Sequence, residues 1–176
     1  ALKSLDTDGR VIYVGSFSKS IFPGLRLGYL VGSKQFIREA RALRASVLRH
    51  PPGQMQRTVA YYLSLGHYDA LIRRMSSAYK ERRVVIDAAI AEHGLSIAGE
   101  GTFGGSAVWM KAPDHVSTVA LAETLRRNGV LIEPGAAFFD GPNPPQNYFR
   151  LAYSSIPSSR IPDGISRIAA ALSAIT

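Results

Sequence analysis

Only two strand-like runs precede a long helical stretch, and that count constrains the fold of this chain more than any other feature. Residues 11–17 are β-branched and aromatic and follow the turn signal Thr7-Asp8-Gly9, which is the pattern of a buried strand. Residues 27–32 read as a second strand, separated from the first by a loop punctuated by Pro23-Gly24. The first run has the composition of a buried strand in a parallel sheet, and parallel strands need neighbours joined by crossovers. Two strands do not make a stable sheet core. The expectation is therefore a sheet completed by missing sequence, by a partner chain, or by both.

Helices fill the middle of the chain. Ser33 is placed to cap a helix over 34–48, Pro51-Pro52-Gly53 ends it, and 54–65 reads as a second helix closed by Gly66. The clearest helix spans 68–92, where Leu71, Ile72, Met75, Tyr79, Ile86 and Ile90 recur at three- and four-residue steps. Gly94 is placed to stop it. Strand-like pieces follow at 95–97, 107–110, 130–134 and 148–153. Between them lie a helix through Arg127 that Ser117 or Thr118 is placed to cap, stopped by Asn128-Gly129, and a loop at 141–145. Asp163 is placed to cap a last helix through 174. Alternating strands and helices argue for an α/β or α+β fold.

A chain of 176 residues is the size of one domain and can bury a core without staples. It has no cysteine, which excludes a disulfide scaffold, a cysteine nucleophile and Cys-ligated metal. No apolar run reaches the roughly 20 residues of a membrane helix, and no signal peptide shape is present at the start. The expected setting is cytoplasmic. The first residue is Ala1, which suggests a chain that starts inside a larger gene product. The net charge of +8 comes partly from Arg38, Arg41, Arg44 and Arg49 and from Arg73, Arg74, Lys80, Arg82 and Arg83. These lie among helix formers at spacings that suit wet helix faces, and no nucleic-acid-binding motif accompanies them.

Two short patterns carry little. Gly99-x-Gly101-x-x-Gly104 matches the dinucleotide fingerprint, but a strand rather than a helix follows it, so the glycines read as a turn. Ser16-x-x-Lys19 matches a serine-nucleophile motif whose companion Ser-Asp-Asn and Lys-Thr-Gly tripeptides do not occur. His50, His67, His93 and His115 share no metal-like spacing, and no metal site is expected.

The segment 15–29 is different. Lys19 follows a strand, at the end where α/β proteins place ligands. Ser16 and Ser18 stand beside it, and Arg26 opens the next strand. Hydroxyls with a guanidinium suit a phosphate, because the arginine fork offers paired donors to phosphate oxygens. A lysine next to such a site can condense with a phosphorylated aldehyde.

As a whole, Gly15-Ser-Phe-Ser-Lys-Ser-Ile-Phe-Pro-Gly-Leu-Arg-Leu-Gly-Tyr29 resembles the cofactor-lysine motif of fold-type I pyridoxal-phosphate enzymes, the aspartate aminotransferase superfamily. The resemblance implies that Lys19 forms an internal aldimine with pyridoxal 5'-phosphate and that Ser16, Ser18 and Arg26 hold the phosphate. It also implies that Arg150, in Phe149-Arg-Leu-Ala-Tyr153, binds the α-carboxylate of an amino acid or keto acid. The implied fold is the C-terminal portion of a fold-type I transferase. Residues 1–50 would be the end of the large, cofactor-binding domain with part of its sheet. Residues 51–176 would be connecting helices and an α+β small domain. Family members are homodimers, and no membrane partner is implied.

Residues 71–83, together with Ser-Lys-Ser-Ile-Phe-Pro-Gly-Leu-Arg, are similar to the aminotransferase-like half of MocR/PdxR-type regulators of the GntR superfamily. Those regulators bind DNA through a winged helix, so nucleic acid would be met only through a domain outside this chain. The family's acid against the pyridine nitrogen, its ring-stacking aromatic and its phosphate loop lie upstream of the lysine, where this chain has 18 residues. Three roles are thereby open: part of a catalytic aminotransferase, the effector-sensing part of a transcriptional regulator, or a structural and dimerisation piece.

Overall fold

The computed structural model describes residues 2–99 and 105–175; Gly101 and Gly104 of the glycine pattern lie outside the described residues. The chain divides into two compact units, Ala1–Arg74 and Met75–Thr176.

In the first unit, Asp6 organises the approach to the sheet. Its carboxylate accepts from Lys3 Nζ at 2.6 Å and from the backbone N–H groups of Arg10 and Val11 at 3.0 and 3.1 Å. Strand β1 (Tyr13–Ser16) then pairs with β2 (Gly28–Val31), in the register Tyr13↔Val31 to Ser16↔Gly28. The pairing is antiparallel, which corrects the parallel expectation. The connection, residues 17–27, holds only one short 3-10 turn, Pro23–Leu25, and a parallel pair needs a longer crossover, usually a helix. The strand is not buried either. Gly15 alone in β1 is covered, Val14 is 72% exposed, and every residue of β2 is exposed. β-branched and aromatic residues report fitness for a pleated surface, whether or not this chain supplies the cover.

Three helices follow: α1 (Lys34–Val47), α2 (Gly53–Ser64) and α3 (His67–Glu92). Ser33 caps α1 as expected, its hydroxyl accepting from the Phe36 N–H at 3.2 Å. Gly66 and Gly94 adopt positive φ after α2 and α3, conformations that favour glycine. A small core of Phe17, Leu25 and Val59, flanked by Ile21, Leu27, Met55 and Tyr68, pins the 17–27 loop to α2 and the start of α3.

The second unit is built on a four-stranded antiparallel sheet in the order β3 (Ser96–Ile97), β4 (Ala107–Lys111), β6 (Tyr148–Ala152), β5 (Glu133–Pro134). Alternation fixes its faces. Val108, Met110, Phe149 and Leu151 point into the core, against Ile86 and Ile90 of α3, Leu121 and Leu125 of α4 (Thr118–Arg127) and Ile165 and Ile168 of α5 (Ile161–Ser173). Trp109 and Arg150 lie on the opposite face.

Three local expectations are corrected here. Only Glu133–Pro134 of the 130–134 run is strand. Ser117 is the N-cap of α4 but makes no side-chain cap hydrogen bond. The buried Thr118 hydroxyl instead lies 2.8 and 3.0 Å from the carbonyl oxygens of Gln146 and Tyr148, tying α4 to the start of β6. The last helix starts at Ile161 with Arg160 as its N-cap. Asp163 falls inside its first turn, where a carboxylate complements the helix dipole, and it pairs with Arg167 at 3.0 Å.

Candidate functional site

Geometry at the end of the β1–β2 pair follows from which residues the loop can bury. Phe17 is buried; its N–H donates to the Leu27 carbonyl at 3.1 Å and its carbonyl accepts from the Ile21 N–H at 2.8 Å. That single turn places Ser18 half-buried and Lys19 exposed. Ser16 closes β1, and its hydroxyl accepts from the Ser18 N–H at 3.2 Å. The next hydroxyl, Ser20 Oγ, is buried with no hydrogen-bond partner.

Leu25 is the loop's second anchor. It leaves Arg26 exposed and in the left-handed region, at φ 46° and ψ 35°, with its N–H donating to the Pro23 carbonyl at 3.3 Å. Such backbone is sparsely populated by non-glycine residues and persists only where surrounding structure holds it. Because Ser16 pairs with Gly28, Ser16, Ser18, Lys19 and Arg26 all belong to one end of the strand pair. This end is chemically one-sided: no Asp or Glu occurs between Asp8 and Glu39. An amine, a guanidinium and hydroxyls, with no carboxylate close in sequence, suit a small anion.

Two glycines permit the close packing behind this end. A Cβ on Gly28 would stand 2.7 Å from the Gly15 carbonyl oxygen, and one on Gly15 would stand 2.2 Å from the Tyr29 ring. Tyr29 also packs at 5.3 Å from Phe17, which meets Tyr68 edge-on at 5.8 Å. A hydrogen bond with Tyr13 pushes the Tyr29 phenol above its ordinary pKa.

Arg150 belongs to the second unit. It projects from β6 on the sheet's outer face, half exposed, with Trp109 and Glu133 as its register partners on β4 and β5. Its Nη2 pairs with Glu133 Oε2, and its guanidinium carbon lies 5.5 Å from the Phe138 ring centroid. Phe138 meets Trp109 edge-on at 5.5 Å, and Trp109 stacks on Tyr148 at 5.9 Å. Arg150 therefore stands on an aromatic floor beside a carboxylate. Sequence reasoning missed Glu133; the signal was a charged residue on a two-residue strand, which no pattern distinguishes from a solvated one. It missed Ser20 because nothing in the sequence sets its hydroxyl apart from those of Ser16 and Ser18. Among the described residues, no group of three or more His, Asp or Glu could hold a metal ion, and no helix is long and apolar enough to cross a membrane.

Comparison with known proteins settles the kinship. Residues 2–168 match the family described as aminotransferase class I and II. The chain belongs to this family. Its curated relatives include the HTH-type transcriptional regulator TauR of Rhodobacter capsulatus, 63% identical over 172 residues, covering 98% of this chain and 36% of the regulator. They also include aromatic-amino-acid aminotransferase 1 of Thermococcus litoralis, 32% identical, covering 96% of this chain and 40% of the enzyme. Among solved structures, Pyrococcus horikoshii kynurenine aminotransferase, in complex with PMP, superposes with a TM-score of 0.83 at 29% identity, covering 99% of this chain and 43% of that one. The chain thus spans about two fifths of the length of the relatives it matches. Its mixed α/β structure corresponds to a C-terminal part of the fold-type I aminotransferase fold, as the motifs implied.

Proposed function

We propose that this chain is the C-terminal part of a pyridoxal-phosphate-binding, aminotransferase-like domain, and that in its parent protein the domain senses an amino acid or keto acid for a transcriptional regulator. The observation that carries the cofactor reading is the single loop that presents Lys19 with Ser16, Ser18 and Arg26 and no intervening acid. The residues present fit the group. Arg26 and the two hydroxyls supply donors for a phosphate, Lys19 supplies a nucleophilic amine for an aldehyde, and the same loop holds the buried, unpartnered Ser20 hydroxyl. The cofactor, when bound, supplies the electron sink for bonds at the amino acid Cα. The protein's own residues would do the rest: Arg26, Ser16 and Ser18 would anchor the phosphate and Lys19 Nζ would take or return a proton, while Arg150 in the second unit would bind a carboxylate.

Identity favours the regulatory role, since 63% identity to the regulator over 98% of this chain exceeds the 32% to the enzyme over 96% of it. DNA contact would then belong to a segment outside this chain. The exposed Val14, Leu43 and Val47, at 72, 67 and 69%, are apolar surfaces that the remaining polypeptide or a second copy in a homodimer would cover. The test is a spectral titration of the full-length protein with pyridoxal phosphate. The wild type is expected to shift the cofactor's absorption and Lys19→Ala to leave it at the free-aldehyde position. A shifted band retained by Lys19→Ala would overturn the lysine assignment.

A further inference from the structure

The outer face of the second unit's sheet carries a pair of opposite charges of which the proposed function uses only Arg150. Trp109, Arg150 and Glu133 stand in one row across β4, β6 and β5, with Arg150 in register with both neighbours. Glu133 Oε2 holds Arg150 Nη2, while Phe138 lies 5.5 Å from the guanidinium carbon. We infer that Glu133 is a resident carboxylate that occupies Arg150 until an anionic ligand takes its place, and that it sets a preference for ligands with a single negative charge. This rests on the proposed role of Arg150 as a carboxylate site.

The geometry supports displacement. A guanidinium offers its N–H groups in a planar fork, and a bound carboxylate takes two of them. Glu133 already holds one corner, so an incoming carboxylate must take that corner or share it. The two side chains are 43% and 48% exposed. A pair so open to water is weak and yields to a competing carboxylate.

Glu133 cannot leave the neighbourhood, however. It is fixed on the adjacent strand, opposite Arg150 in the ladder. After displacement its charge stays beside the ligand. A second negative charge on the ligand is then repelled, whereas an ammonium on the ligand is favoured. The row without Glu133 is a plain anion site; with it, the row suits a zwitterion.

The test uses full-length protein with selectively 15N-labelled arginine side chains. Arg150→Lys identifies the Arg150 resonance, and acetate and succinate are the probes. Glu133→Gln is expected to bind acetate about two- to fivefold more tightly than the wild type, the fold-change of one exposed ion pair. Succinate is expected to gain more than acetate, shifting the succinate-to-acetate ratio, and Glu133→Asp is expected to restore the wild-type ratio. Unchanged or weaker acetate binding by Glu133→Gln, with Arg150 still responding to acetate, would overturn this inference and leave the carboxylate role intact. An Arg150 resonance that acetate moves in neither protein would overturn the carboxylate role and this inference with it.

Discussion

Arg26 allows backbone strain and ligand binding to be separated at one position. Its φ of 46° and ψ of 35° place an L side chain in the left-handed region, which costs about 1 kcal/mol that glycine escapes. Its guanidinium is exposed at the end of the strand pair, free to meet a phosphate. Arg26→Ala removes the guanidinium and keeps the strain; Arg26→Gly removes both. Loss of charge-assisted hydrogen bonds to a phosphate is worth about 1.5–3 kcal/mol, so both variants are expected to bind pyridoxal phosphate about tenfold to one hundredfold more weakly. Their stabilities, unlike their affinities, should differ. Without cofactor, Arg26→Gly is expected to unfold in urea with about 1 kcal/mol more stability than Arg26→Ala. The assays are cofactor titration by absorbance and urea unfolding of the cofactor-free full-length protein. Equal stability of the two variants would refute the strain argument, and cofactor affinity within twofold of wild type in both would refute the phosphate role.

Other perturbations test the scaffold. Gly28→Ala sets a Cβ 2.7 Å from a backbone oxygen that cannot swing away; a loss of about 1–3 kcal/mol in urea unfolding is expected, and a neutral result would contradict the close approach. Leu121→Ala, at a fully buried position in the second unit, should cost about 2–5 kcal/mol in the same assay, and a loss well under 1 would mean that α4 is not packed as described. The Lys3 ammonium beside Asp6, aided by two backbone N–H groups, holds its carboxyl at about 2, below the ordinary carboxylate range. A group depressed on folding stabilises above its unfolded pKa, and that contribution fades as pH falls from about 4 to about 2. Asp6→Asn should therefore flatten the stability profile in that window, whereas parallel wild-type and variant profiles would refute the assignment.

Much of this was legible in the residues because local chemistry decides it. Ser33 caps α1 because a hydroxyl before a helical run finds the third N–H, and Gly94 follows α3 because the chain there needs positive φ. Strand character at 107–110 and 148–153 was legible too, and the core face of β4 and β6 follows from their alternation once the strands are placed. What the residues hid were relations between segments. The composition of 11–17 suits a sheet interior, yet strand direction is set by the length of the connection, and 17–27 turns straight back. Asp163 has the chemistry of a cap, but Ile161-Pro162 begins the helix earlier. The Lys19 loop was readable as a set of donors from its residue types and from the resemblance of 15–29 to a family motif. Glu133 was not, because only the β5–β6 register brings it to Arg150.

The most direct test of the central claim is chemical. Full-length protein saturated with pyridoxal phosphate is reduced with borohydride, digested, and mapped by mass spectrometry. The expected result is the reduced cofactor attached to the peptide containing Lys19, and on no other lysine in stoichiometric amount. Attachment elsewhere, or none despite a bound cofactor, would contradict the assignment of the 17–27 loop as the cofactor site.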